Sequence, residues 1–90
     1  MIYSKNNLEE LEAEKENFLY HFQSQDVTAN DLFYGTVQVV SATDAKKNGY
    51  GASVLKEIRL DSEENINHLI SYMKNMIIEN NAELIIWKID

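Results

Sequence analysis

Apolar positions recur along this chain in two alternating rhythms, and the rhythms divide it into five elements. Over residues about 4–23, Leu8, Leu11, Phe18, Leu19 and Phe22 fall on one side of a 3.6-residue helix. They span roughly 100° of arc, with Lys15 inside it and Ser4 placed to cap the start. Glu9, Glu12 and Glu16 line one edge of this stripe and Glu10 and Glu14 the other. The predicted helix is therefore a narrow apolar stripe between two acidic edges.

Asp26 to Asp31 is polar and turn-like, and residues about 32–42 are rich in Val, Thr, Phe and Tyr, which predicts a strand. Thr43 to Gly49 is expected to be a loop, with Asn48-Gly49 as a hairpin turn signal because both residues tolerate positive φ. A second strand is expected over about 50–60, with Ala52, Val54, Ile58 and Leu60 on one face and Ser53, Glu57 and Arg59 on the other. Lys56 breaks the apolar face, which places it near an edge where its ammonium can reach water.

A second helix over about 62–80 has the clearest period, carried by Ile66, Leu69, Ile70, Met73, Met76 and Ile77. Asp61 and Glu64 resemble a capping box at its start, and Asn80-Asn81 marks its end. Residues about 83–89 then form a bulky strand that is apolar on both faces apart from Lys88. Such a strand is central in a covered sheet or lies at an interface.

The predicted order is α-β-β-α-β. The fold class is α+β, a single small domain over 1–90 whose three-stranded sheet packs mainly on the second helix. Strand order is left open. If the first helix covers the second sheet face the fold closes as three layers; otherwise that face is free for a second subunit, so a homodimer enters as an alternative.

Charge changes the picture more than length does. The net charge is −7, with 15 acidic against 8 basic residues. Residues 1–31 hold seven acids against Lys5 and Lys15, and residues 61–90 hold six against Lys74 and Lys88. Only the middle is basic, where Lys46, Lys47, Lys56 and Arg59 outweigh Asp44 and Glu57. Such a chain repels phosphate backbones at long range, so direct nucleic-acid binding is disfavoured. There is no Cys, which removes disulfide scaffolds, thiolate metal sites and cysteine nucleophiles together. The longest apolar run, Leu84 to Trp87, falls far short of the roughly 20 residues of a membrane helix, and Met1 is not followed by a signal-peptide pattern. A cytoplasmic location is expected by elimination.

Candidate chemistry is sparse. His21 and His68 lie in different helices with no nucleophile signature around either, and Glu64 with His68 offers two metal ligands where zinc takes three or four. No catalytic residue, cofactor or metal is assigned, and a non-enzymatic protein is expected. Lys46, Lys47 and Tyr50 read as a projecting loop able to grip a partner by charge and stacking. Glu9, Glu12 and Glu16 read as regularly spaced carboxylates that compete for a surface that binds phosphates. Glu10 and Glu14, one turn apart, repel one another without an evident local compensation.

Ten Asn, nine Ile and seven Lys give the usage of a low-GC genome, and the short acidic chain resembles many phage or mobile-element accessory proteins in composition. The expected function is a protein-binding inhibitor that blocks a nucleic-acid-binding host or defence enzyme, such as a CRISPR nuclease, by steric occlusion and negative charge. A structural homo-oligomer with contacts at Ile78, Ile85 and Trp87 is one alternative. The other is a ligand-sequestering protein with a pocket at Tyr34, Tyr50 or Tyr72.

Overall fold

The computed structural model describes residues 1–23 and 35–89. Ser4 opens the first helix as expected, through a capping box: its hydroxyl accepts from the Asn6 amide at 3.2 Å while Asn7 Oδ1 accepts from the Ser4 amide at 2.7 Å. A 3-10 turn over Lys5–Asn7 leads into α1, Leu8–Gln23. Strand β1 covers Thr36–Ser41; the expected turn at 26–31 and the first residues of the expected strand, 32–34, lie outside the described residues.

The connection after β1 departs from the expected loop. It is a short helix, α2, over Ala42–Asn48, followed by a 3-10 turn over Gly49–Gly51. The helix signals are present in the residues: Ser41 caps the start, Asp44 sits in the first turn, Lys46 and Lys47 in the last, and Gly49 ends it at φ 56°. Asn48 keeps φ at −118°, so Asn48-Gly49 is a helix exit and not a two-residue hairpin turn. Strand β2 starts correspondingly later than expected, at Val54, and runs to Arg59.

Helix α3 spans Glu63–Asn80 and β3 spans Leu84–Lys88. The cap of α3 is Ser62, one residue after the expected Asp61. Ser62 has extended backbone and its hydroxyl accepts from the Asn65 amide at 3.1 Å. Asp61 instead accepts from the Asn65 side chain at 3.0 Å and lies 3.7 Å from Arg59. Asn81 ends α3 in the left-handed region, φ 54°, as its position after the last periodic residue implies.

The sheet is antiparallel with order β2-β1-β3, so the chain's most continuously apolar strand is an edge and β1 is central. The register sorts the side chains by face. Val37 and Val39 share a face with Ile58, Lys56, Ile86 and Lys88, whereas Gln38 and Val40 share the other with Glu57, Ile85 and Trp87. The first face is the core. Leu11 and Phe18 of α1 and Ile66, Leu69, Ile70, Met73 and Ile77 of α3 are buried with Val37, Val39, Leu60 and Leu84, so α3 carries most of the packing.

A bulge at Leu55, between the Val39–Lys56 and Val40–Val54 pairs, shifts the side-chain phase of β2. Val54 therefore sits opposite Val40 on the outer side and not with Ile58 as the uninterrupted alternation implies. Lys56 does interrupt the core-facing side on an edge strand, and its ammonium lies 5.7 Å from the centre of the Tyr72 ring. Both long helices lie on the core face. The opposite face meets α2 and its following turn, where Val40, Ala42 and Ala52 are buried.

Candidate functional site

The residues singled out from the sequence fall on two opposite sides of the molecule. The acidic set is on α1, outside the core face. Glu12 is not free there: it pairs with Lys74 of α3, and this contact holds its carboxyl below its ordinary range. Glu14 takes the other flank, beside the hydroxyl of Tyr3. Burial first, then the charge and hydrogen bond of Glu14 and the charge of Glu10, push the Tyr3 phenol up to about 12.

Tyr3 is placed by the backbone. Its N–H donates to the Leu84 carbonyl at 2.8 Å and its carbonyl accepts from the Leu84 N–H at 2.9 Å, an isolated antiparallel bridge on the outer side of β3. The ring is buried in the core against the same layer as Leu11. Helix α1 is consequently fastened on one flank to α3 and on the other to the segment paired with β3. Between these fastened flanks, Glu9 and Glu16 remain exposed. Seven residues at about 100° each bring them within about 20° of one another, two turns apart.

One turn beyond Glu16 is Tyr20, which is 68% exposed and packs edge-on against His21 with ring centres 5.6 Å apart. Sequence reasoning passed over Tyr20. Its spacing from Glu16 was visible, but an aromatic at the margin of an apolar stripe does not announce that it faces solvent.

Lys46, Lys47 and Tyr50 belong to the other side. The two lysines are exposed in the last turn of α2, and Tyr50 sits in the 3-10 turn, 97% exposed, with its ring centre 5.6 Å from that of Trp87. Asp44, which sequence reasoning also missed, fixes this connection. Its carboxylate accepts from the Ser53 amide at 2.8 Å and from the Asn48 side chain, and those two bonds, in that order, lower its pKa.

The sheet therefore separates the α1 carboxylates from the α2 lysines, and the fold does not bring the two sets together. Ile85 and Trp87 share the outer sheet face, while Ile78, 60% exposed, lies on α3 in the helix layer. The three proposed oligomer contacts are thus not one surface either.

Tyr34 lies outside the described residues. Tyr72 is engaged internally, its hydroxyl donating to the Leu55 carbonyl at 3.4 Å. Tyr50 lines a shallow open groove of about 290 Å³ with Gln38, Trp87 and Ile89, whereas the larger open groove, about 780 Å³ between Ser4, Thr43, Leu55 and Asn81, contains no tyrosine. Among the described residues no group of three His, Cys, Asp or Glu side chains is placed to hold a metal ion, and no helix is long and apolar enough to cross a membrane. Comparisons with protein-family models, with curated proteins and with solved structures find no match for this chain.

Proposed function

We infer that this chain is a non-enzymatic binding protein that covers a basic, nucleic-acid-contacting surface of another protein with the outer ridge of α1. One observation carries the reading: Glu9, Glu16 and Tyr20 are exposed in line along a helix that is fastened on both flanks. Fixing the helix in advance lowers the ordering cost of binding. An exposed aromatic beside spaced carboxylates combines the buried anchor and the charge steering that protein interfaces use.

The mechanism is occlusion. Carboxylates on the ridge meet the Lys and Arg side chains that would otherwise hold phosphates, and Tyr20 packs where a base or sugar would lie. A nuclease groove, as in a phage-directed defence enzyme, is the class of surface that suits this pattern. Glu12 acts here as a fastening residue and not as a contact.

The test is capture of proteins from a nuclease-treated lysate of a low-GC bacterium on the immobilised chain. A nucleic-acid enzyme retained at low salt and released at high salt is the expected result. Retention that is unchanged by salt, or by the double substitution Glu9→Lys with Glu16→Lys, overturns the reading.

A further inference from the structure

The outer face of the sheet is covered at one end and open at the other. Around Val40 it is buried with Ala42 and Ala52 beneath α2 and the turn that follows. One pleat further along, the register aligns Glu57, Gln38 and Trp87 in a row across the three strands, and all three are partly or fully exposed.

Tyr50 stands beside this row. Its ring centre is 5.6 Å from that of Trp87, but the planes are tilted by 50° and Tyr50 is 97% exposed, so neither ring closes the face of the other. With Gln38 and Ile89 the pair lines the open groove of about 290 Å³. Gln38 is held in place there, because its Nε2 donates to Glu57 at 2.8 Å, a bond that also engages the carboxylate of the row.

Charge beside the groove is opposite to that of the chain as a whole. Lys46 and Lys47, four and three residues before Tyr50, are exposed in the last turn of α2. The acid of the same helix, Asp44, is engaged by the Ser53 amide and the Asn48 side chain. The α1 carboxylates lie beyond the sheet and a helix layer roughly 10 Å across, farther than the roughly 8 Å over which physiological salt screens a charge. The repulsion that a chain of charge −7 exerts on phosphates is therefore weak at this place.

The backbone adds a separate observation. Gly51 has no positive φ, and a Cβ built on it meets nothing within 4 Å, so the fold itself does not call for glycine there. Bare backbone next to Tyr50 suits close approach by a ligand.

We propose that this groove is a nucleotide site, in which a base stacks on Tyr50 and Trp87 and its phosphate is held by Lys46 and Lys47. A flat ring carrying an anionic group is the chemistry that an exposed aromatic pair and two adjacent ammonium groups recognise together. The occupant is a free nucleotide. A strand needs a basic track along its backbone, and beyond the two lysines the next cation on this face, Arg59, lies 3.7 Å from Asp61. The groove and the α1 ridge are on opposite sides of the sheet, so this inference stands independently of the ridge's function.

Trp87 is the chain's one tryptophan, so its emission reports on this groove. The full chain is titrated with purine and pyrimidine nucleoside monophosphates, with adenosine, with inorganic phosphate and with a short single strand, and calorimetry checks each affinity. Monophosphates are expected to quench the emission saturably with dissociation constants at or below about 1 mM, adenosine to bind at least about fivefold more weakly, and phosphate alone to leave the emission unchanged. Tyr50→Ala, and separately Lys46→Glu with Lys47→Glu, are expected to raise the dissociation constant by about tenfold or more, while Tyr50→Phe stays within about twofold. These side chains are exposed, so circular dichroism is expected to be unchanged.

Glu9→Lys with Glu16→Lys is expected to leave nucleotide affinity within about twofold, which keeps this test apart from that of the ridge. Absence of saturable binding by any monophosphate at about 10 mM overturns the inference, as does binding that survives Tyr50→Ala. A single strand bound at least about tenfold more tightly than the monophosphates overturns the assignment to a free nucleotide.

Discussion

Replacing Tyr3 by Phe removes one oxygen and leaves the backbone bridge to Leu84 in place, so it isolates the buried hydroxyl beside Glu14. At neutral pH the loss of that hydroxyl and its polar surroundings costs on the order of 1 kcal/mol. The pH dependence is more diagnostic. The phenol of Tyr3 is raised from 10.0 to about 12 in the folded chain, so below pH 10 it is neutral in both states and its contribution is fully present.

As pH rises from 10 toward 12, the unfolded chain releases this proton first and the contribution is lost. The full shift corresponds to about 3 kcal/mol, and solvent around Glu14 and Glu10 reduces it to on the order of 1 kcal/mol. Urea unfolding of the wild type and Tyr3→Phe, followed by far-UV circular dichroism at pH 7, 9.5 and 11, reads the difference between the two. Wild type is expected to be the more stable at pH 7 and 9.5, with the gap closing by pH 11. A gap that is constant through pH 11, or absent at pH 7, refutes the Tyr3–Glu14 contact and with it the fastening of that flank of α1.

Glu12→Gln tests the other flank. The Glu12 carboxyl is held low by Lys74, so its stabilisation is present above the ordinary carboxylate range and lost as pH falls through the folded value; the substitution is expected to flatten the acid limb of the stability curve, measured by urea midpoints between pH 3 and 7. Ile77→Ala empties a fully buried position where α3 meets the sheet and is expected to cost about 2 to 5 kcal/mol by urea unfolding, while Ile78→Ala, one residue on and exposed, stays within about 0.5 kcal/mol. Asn81→Ala puts a Cβ-bearing residue without Asn's tolerance into the left-handed cap and is expected to lower thermal stability by about 1 kcal/mol, whereas Asn81→Gly leaves it equal or slightly higher.

Much of the fold was legible because its two long helices announce themselves through period and cap. Ile66 to Ile77 repeats cleanly enough that only the capping residue moved, from Asp61 to Ser62, two side chains with the same capping chemistry at adjacent positions. The stretch from Ser41 to Gly49 was ambiguous at a deeper level, since Asn-Gly serves both a hairpin turn and a helix exit, and a seven-residue helix is too short for periodicity to decide. Strand order and the edge position of β3 depend on which partner each strand meets, which local pattern does not encode.

The candidate sites show the same division. The carboxylates of α1 could be counted and assigned to edges, and Glu9 and Glu16 are exposed as their positions imply. That Glu12 and Glu14 are already committed depends on Lys74 and Tyr3, which reach them only through the packing of α3 and the bridge to β3. From the sequence, Lys46, Lys47 and Tyr50 read as one projecting loop with Asn48-Gly49 as its turn; as a helix exit tied down by Asp44 the segment faces the opposite side of the sheet from α1.

Binding by the α1 ridge is tested most directly by a paired comparison on one captured partner. Affinity is measured by titration calorimetry or surface plasmon resonance for the wild type, for Glu9→Lys with Glu16→Lys, and for Tyr20→Ala, each confirmed folded by circular dichroism. Both substituted chains are expected to lose at least about tenfold in affinity, and a short nucleic-acid duplex is expected to displace the wild type from its partner. Equal affinity for all three chains, or a stable ternary complex with the duplex, contradicts binding through this ridge.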